Sequence, residues 1–207
     1  MAERRLRADA EANLTKILDA AEAVFDEFGP DVSIERVAER AGLGLGTIYR
    51  RFRNKEELLR ELVRRLLNQV VEIGERHAGS GSASALEDYM VEVGRTLSGA
   101  RAGIDRMWGD PAHEDLVARS RAAQEALVVA AKDSGTVRPE LTAEDVAVAL
   151  WSVYGVLEVT RGTSVDAASR HIEILLAGWR PADALRNSPI TPVDIDRVIA
   201  QSPKPTG

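Results

Sequence analysis

Leu58, Leu59, Leu62, Val63, Leu66, Leu67, Val70 and Val71 recur as adjacent pairs every fourth residue. Only an α-helix brings such a spacing onto one face, so this stretch is committed to an amphipathic helix. At about 1.5 Å per residue it spans roughly 30 Å, from the N-cap signal Asn54 with Glu57 three residues on, to about Glu75. The same period appears upstream in Leu14, Ile17, Leu18, Ala21, Val24, Phe25 and Phe28, and Gly29-Pro30 ends it. Ser33 predicts the cap of a short helix with the stripe Ile34, Val37, Ala38 and Ala41, and Gly42 supplies the left-handed residue of a sharp turn. A further short helix is expected over Gly46 to Phe52. Alternating Val or Ile runs flanked by turn residues do not occur, so the expected fold is all-α with no sheet.

Composition agrees. The 207 residues are 44% hydrophobic, enough for a substantial core, and 4% aromatic against 29% charged, which suits helices better than a β-sandwich. With no cysteine, disulfides, thiolate zinc sites, iron–sulfur clusters and cysteine nucleophiles are excluded, and a cytoplasmic location is expected. No apolar run of about 18 residues offers a membrane span, and the basic start through Arg7 leads into no apolar segment of the secretory kind. The net charge of −6 argues against phosphate partners on average, but it is unevenly placed. Residues 36 to 55 hold Arg36, Arg40, Arg50, Arg51, Arg53 and Lys55 against Glu39 alone, a local +5, while the other 21 cations face 32 anions.

The small-residue stretch Ala78–Ala85 precedes a second helical region. Helix starts are expected at Ser84 with Glu87, at Asp110-Pro111, at Thr142 with Asp145 and at Thr163 with Asp166, giving about five helices between 84 and 180. Five of the eight prolines follow residue 180, leaving room for one short helix at Thr191–Ile199 in a loose tail. The expected division is 1–57, a first helical domain with the start of the linking helix; 58–180, a second helical domain; and 181–207, a proline-rich tail.

Ser33 to Phe52 has the anatomy of a helix-turn-helix, whose second helix enters the major groove of DNA. On that helix Ile48 and Phe52 can face the core, leaving Thr47, Arg50 and Arg51 outward. Arginine can form two parallel hydrogen bonds to guanine or phosphate, and threonine can read base edges. Plainer roles stand beside these: a solvated cationic face, Thr47 as a helix cap, Tyr49 as a half-buried core residue, Lys55 as a solvated surface lysine. Arg4, Arg5 and Arg7 fit either a minor-groove arm or a frayed terminus. Catalysis finds little support. His77, His113 and His171 lie far apart, no nucleophile-elbow, Walker or dinucleotide motif occurs, and Gly42-Leu-Gly-Leu-Gly46 lacks the strand and the Lys-Ser/Thr of a phosphate loop. Neither an enzyme nor a metal or cofactor site is expected, although carboxylates are plentiful enough to supply an acid pair.

The tract Val37-Ala38, Ala41-Gly42, Gly46-Thr47-Ile48-Tyr49, Phe52, Lys55-Glu56 and Leu58 resembles the signature of the TetR family of bacterial one-component repressors. The resemblance covers about residues 14 to 58 and implies that Gly46 and Thr47 approach bases, that Tyr49 and Arg51 bind phosphates, and that Lys55 binds another with its backbone N–H. A helix N-terminus is an anion site in its own right. Ser33, Arg50 and Arg53 complete the DNA-binding candidates. Gly44 and Leu45 depart from the family pattern, which commonly has Ser and a polar or basic residue there, so base preference is not carried over.

All three tryptophans, with Tyr89 and Tyr154, lie beyond residue 85. Val146 to Leu157 is apolar nearly all round, and such a helix is buried on more than one side. Val153, Leu157, Ile172, Leu175, Leu176 and Trp179 are candidates for a dimer interface, with Gly155 and Gly178 permitting close helix approach; the resemblance implies dimerisation through the last two long helices. A monomer with a buried central helix is the alternative. Tyr89, Val93, Met107, Trp108, Trp151 and Tyr154 are candidates to line a ligand pocket, with Glu92, Gln124 or Glu158 as polar anchors, though each alone is also ordinary core. The expected function is a homodimeric regulator bound to double-stranded operator DNA, with repression as the family's default, and released by a small apolar or aromatic effector, with no membrane partner. A DNA-binding helical protein without an effector, and a helical enzyme or adaptor that reuses the fold, are the alternatives.

Overall fold

The computed structural model describes residues 2–29, 31–99, 111–160, 166–181, 185 and 188–201, and among them every regular element is helical. Contacts divide the chain into two units, with the division inside one helix between Arg65 and Leu66.

The first unit holds α1 (Ala2–Phe28), α2 (Ile34–Ala41), α3 (Leu45–Arg51) and the beginning of α4 (Lys55–Ala78). The apolar stripes converge as their spacing requires: Ile17, Ala21, Val24 and Phe25 of α1 share one core with Val37 of α2, Ile48 of α3, and Leu58 and Leu62 of α4. Burying each larger side chain stabilises the unit by about 1.5–3 kcal/mol. Gly29, at φ 83°, ends α1 with its N–H on the Phe25 carbonyl. Gly42, at φ 65°, turns the chain out of α2, and its N–H and that of Leu43 satisfy the Glu39 and Ala38 carbonyls. Ser33 occupies the N-cap position of α2 with extended backbone, but its side chain makes no capping hydrogen bond, contrary to expectation. α3 runs one residue earlier than its pattern suggested, because the Gly44 carbonyl accepts the first turn's Thr47 N–H. Asn54 caps α4 through the Glu57 N–H at 2.9 Å, and the Glu57 carboxylate reaches back to the Arg53 N–H at 2.8 Å. Arg65 ties α4 to α1 through Asp19 at 2.6 Å and Glu22 at 3.7 Å.

The second unit holds the rest of α4, α5 (Ala85–Gly99), a 3₁₀ turn (Pro111–His113), α6 (Glu114–Asp133), α7 (Ala143–Val159), α8 (Ala167–Trp179) and α9 (Pro192–Gln201). Its core includes Tyr89, Met90, Val93, Leu127, Val146 and Val153. Thr142 and Asp145 form the expected reciprocal capping box of α7. Between 84 and 180 the described residues form four α-helices and the 3₁₀ turn, where about five helices were expected; Asp110 and Thr163 lie outside them. The tail helix is anchored: Ile195 is buried, and Asp196 pairs with Arg121 of α6 at 3.1 Å. No helix among the described residues is long and apolar enough to cross a membrane.

Candidate nucleic-acid interface

α3 has an inner and an outer side. Ile48 and the following Phe52 are buried in the first unit's core, and this holds Leu45, Gly46, Tyr49, Arg50 and Arg51 in solvent. Tyr49 is 46% exposed, which sets aside a core role. Thr47 is not the cap of α3, since Gly44 occupies that position; its hydroxyl instead accepts a long 3.4 Å hydrogen bond from Arg50. A Cβ at Gly44 or Gly46 would meet nothing within 4 Å, so packing does not demand glycine at either position.

The cations of residues 36 to 55 are in three situations. Arg40 is paired with Glu27 of α1 at 3.2 Å, and Arg53 lies 4.0 Å from Glu57. Arg36 stacks over Phe28 at 3.9 Å, Arg51 lies 5.7 Å from the Phe52 ring centre, and Lys55 holds its ammonium 5.9 Å from that of Phe25. Arg50 and Arg51 have no carboxylate partner among the described residues. The α3 face thus offers an anion two guanidinium groups with no carboxylate partner among the described residues, beside the exposed phenol hydroxyl of Tyr49, while Ser33 at the start of α2 makes no capping bond. Lys55 adds its charge at the capped start of α4, its ammonium over the Phe25 ring of α1.

The residues singled out in the second unit are more scattered. Tyr89 and Val93 are buried; the Tyr89 hydroxyl accepts from Gln124 at 3.0 Å, and burial pushes its pKa up. Trp151 and Tyr154 are half-buried on α7, and the Tyr154 hydroxyl donates to Glu158 at 2.8 Å. Met107 and Trp108 lie outside the described residues. Glu92 holds Arg76 at 2.8 Å and His77 at 2.8 Å, and these hydrogen bonds, that of Arg76 foremost, lower its pKa to about 2. All three expected anchors thus have partners within the chain. An open cleft of about 370 Å³ that sequence reasoning missed lies among Leu86, Val137, Leu176, Trp179 and Arg180.

The dimer candidates differ in exposure within the single chain. Val153, Ile172 and Trp179 are buried within their own unit and have little surface to offer a partner; Ile172 is held against α5, where a Cβ at Gly94 would clash with its Cδ1. Leu157, Leu175 and Leu176 are partly exposed. The outward apolar residues of α7 and α8 include Val159 at 87% and Ile174 at 57% exposed, beside the exposed Gly155 and Gly178. Ile174 belongs to the apolar set legible on α8, whereas Val159 did not stand out, because a helix apolar on all sides does not tell which side is outward.

Fold and site together define an all-helical protein with an N-terminal helix-turn-helix. The family pattern described as bacterial regulatory proteins, tetR family, matches residues 17–62. A helix-turn-helix transcriptional regulator of Staphylococcus aureus is 37% identical over 67 residues, covering 32% of this chain and 36% of that protein, so the match spans about a third of the relative. A TetR transcriptional regulator from Streptomyces coelicolor superposes with a TM-score of 0.59 at 28% identity, over 82% of this chain and 99% of the other. The TetR-like regulator LfrR from Mycobacterium smegmatis, solved in complex with proflavine, superposes with a TM-score of 0.56 at 22% identity, over 83% and 98% of the two chains. Over residues 17–62 the chain is similar to the TetR family of transcriptional regulators, and over most of its length it shares the fold of these solved TetR regulators.

Proposed function

We propose that the chain binds double-stranded operator DNA through α3 as a homodimer, represses transcription, and is released by a small apolar or aromatic effector. The observation that carries this is the outer face of α3, where exposed Tyr49 stands with Arg50 and Arg51, neither of which faces a carboxylate among the described residues. In this division residues 1–57 contact DNA, 58–180 bind the effector and the partner subunit, and 181–207 form the tail. The exposed strip of Gly155, Val159, Ile174 and Gly178 supports dimerisation through α7 and α8. The proflavine complex of LfrR, together with the aromatic residues beyond position 85, supports an aromatic effector. A regulator with no membrane partner would act in the cytoplasm.

Fluorescence anisotropy of the full chain with genomic duplexes, across a salt series, tests the reading. Binding should weaken log-linearly with salt, by about 0.9 per phosphate neutralised, and the double variant R50A/R51A should flatten the slope. A salt-independent affinity, or an unchanged slope in the double variant, would refute DNA binding through this face.

A further inference from the structure

The three histidines have different surroundings. His77 lies 2.8 Å from the Glu92 carboxylate, and His171 lies 2.8 Å from the Ser152 hydroxyl. His113 is 1% exposed, and neither Nδ1 nor Nε2 has a hydrogen-bond partner. It closes the 3₁₀ turn Pro111–His113 and stands at the N-cap of α6, where its side chain makes no capping bond.

A buried imidazole with two unsatisfied nitrogens destabilises the fold, whereas an apolar side chain of similar shape would not. A residue kept under those terms points to a partner outside the chain. Among the described residues no cluster of His, Asp or Glu forms around it that could hold a metal ion, so the partner to consider is organic. Its chemistry follows from the site. Neutral imidazole presents one N–H and one lone pair, and a hydroxyl can satisfy either. A carboxylate could accept the imidazole N–H but not donate to the lone pair, and it would bring a charge that is costly to desolvate at so buried a group, beside the acidic Glu114 and Asp115 in the first turn of α6.

We propose that His113 is the polar anchor of the effector site, hydrogen-bonding the neutral hydroxyl of an otherwise apolar, phenol-like ligand. This rests on the effector-released regulator proposed above, in which Glu92, Gln124 and Glu158 are already engaged inside the chain.

Two measurements on the full-length protein test it. In thermal melts without ligand, H113L and H113F should unfold at or above the wild-type temperature, because they remove two unpaired buried groups. If both unfold well below it, or fail to fold, the imidazole has a partner inside the chain and the proposal falls. In calorimetric titrations, phenol, 4-ethylphenol and 2-naphthol are each compared with the matching methyl compound: toluene, 4-ethyltoluene and 2-methylnaphthalene. The hydroxyl compounds should bind the wild type at least tenfold more tightly than their partners, and H113L should bring each pair within twofold. Equal affinities in the wild type, or no binding by any phenol, would overturn the anchor. Operator release is scored separately with the same compounds. A phenol that binds through His113 without releasing DNA leaves the anchor standing and removes the effector reading. Release by compounds whose affinity H113L does not change does the reverse.

Discussion

Gly46 lies in the first turn of a helix, at an ordinary helical backbone with open space where a Cβ would go. Alanine there should raise stability by up to about 1 kcal/mol, since glycine loses more backbone freedom on folding. If the backbone at this position approaches a base, the added methyl should cost operator affinity. Gly46→Ala is therefore expected to melt higher and bind DNA more weakly, read by thermal melts and anisotropy on one preparation; unchanged DNA affinity would remove Gly46 from the interface. Arg50 and Tyr49 should separate by kind of contact. Arg50→Ala is expected to alter preference among duplexes by about 1–3 kcal/mol, as loss of a base contact does, while Tyr49→Ala weakens all duplexes alike. Competition binding on a set of single-base variants distinguishes the two, and a uniform loss in Arg50→Ala would make it a phosphate contact. At this scale the outward face of α3 was legible, because the four-residue spacing of Ile48 and Phe52 orients the helix. The stacking of Arg36 on Phe28 and the pairing of Arg40 with Glu27 were not legible, because they join helices through the turn geometry rather than through spacing along one helix.

Element boundaries were legible wherever apolar period and cap chemistry coincide, as at Asn54 and Thr142, and illegible where one acts without the other. Ser33 has the right residue type and backbone for a cap but leaves its hydroxyl unused, while α3 starts at a glycine cap with no side-chain signal. The helix contacts of the second unit, such as Gly94 against Ile172, link residues far apart in sequence and left no local pattern. The last turn of α4 shows how such contacts hold an element. Glu75, Arg76 and His77 are consecutive, and they bind Arg119 of α6 and Glu92 of α5, the first through two hydrogen bonds of 2.9 and 3.0 Å. Glu92 has its pKa lowered from 4.5 to about 2 by Arg76 and then His77. A depressed carboxylate contributes stability that is fully present above its unfolded pKa and lost as pH falls through the folded one. Glu92→Gln should therefore melt below the wild type at neutral pH, and the gap should close between about pH 4.5 and pH 2. Melts across that range check it, and a gap that persists at the acid end would mean the carboxylate is not what holds the end of α4. The site is exposed and screened, so the effect should shrink in high salt.

At the scale of the whole molecule, one α3 presents a single recognition helix, and a short helix alone buries too little surface against DNA for high affinity. Two copies joined by a two-fold axis would bind adjacent half-sites, the second at the high effective concentration set by the first. The outward strip on α7 and α8 makes this testable without disturbing the core. Ile174 is largely exposed, so Ile174→Glu should leave the subunit folded while placing a charge where a partner would pack. Val153 is fully buried, so Val153→Glu should unfold its own unit. Light scattering with circular dichroism separates the two failures. The wild type is expected at twice 22.5 kDa at micromolar concentration, Ile174→Glu at 22.5 kDa with helical content intact, and Val153→Glu as aggregated or helix-poor material. The folded single subunit should then lose the advantage of a palindromic duplex, binding full and half operators with similar affinity, because no second α3 is tethered to the first. A wild type that scatters as 22.5 kDa would refute the dimer, and an Ile174→Glu variant that keeps both the doubled mass and the palindrome preference would place the interface on another face.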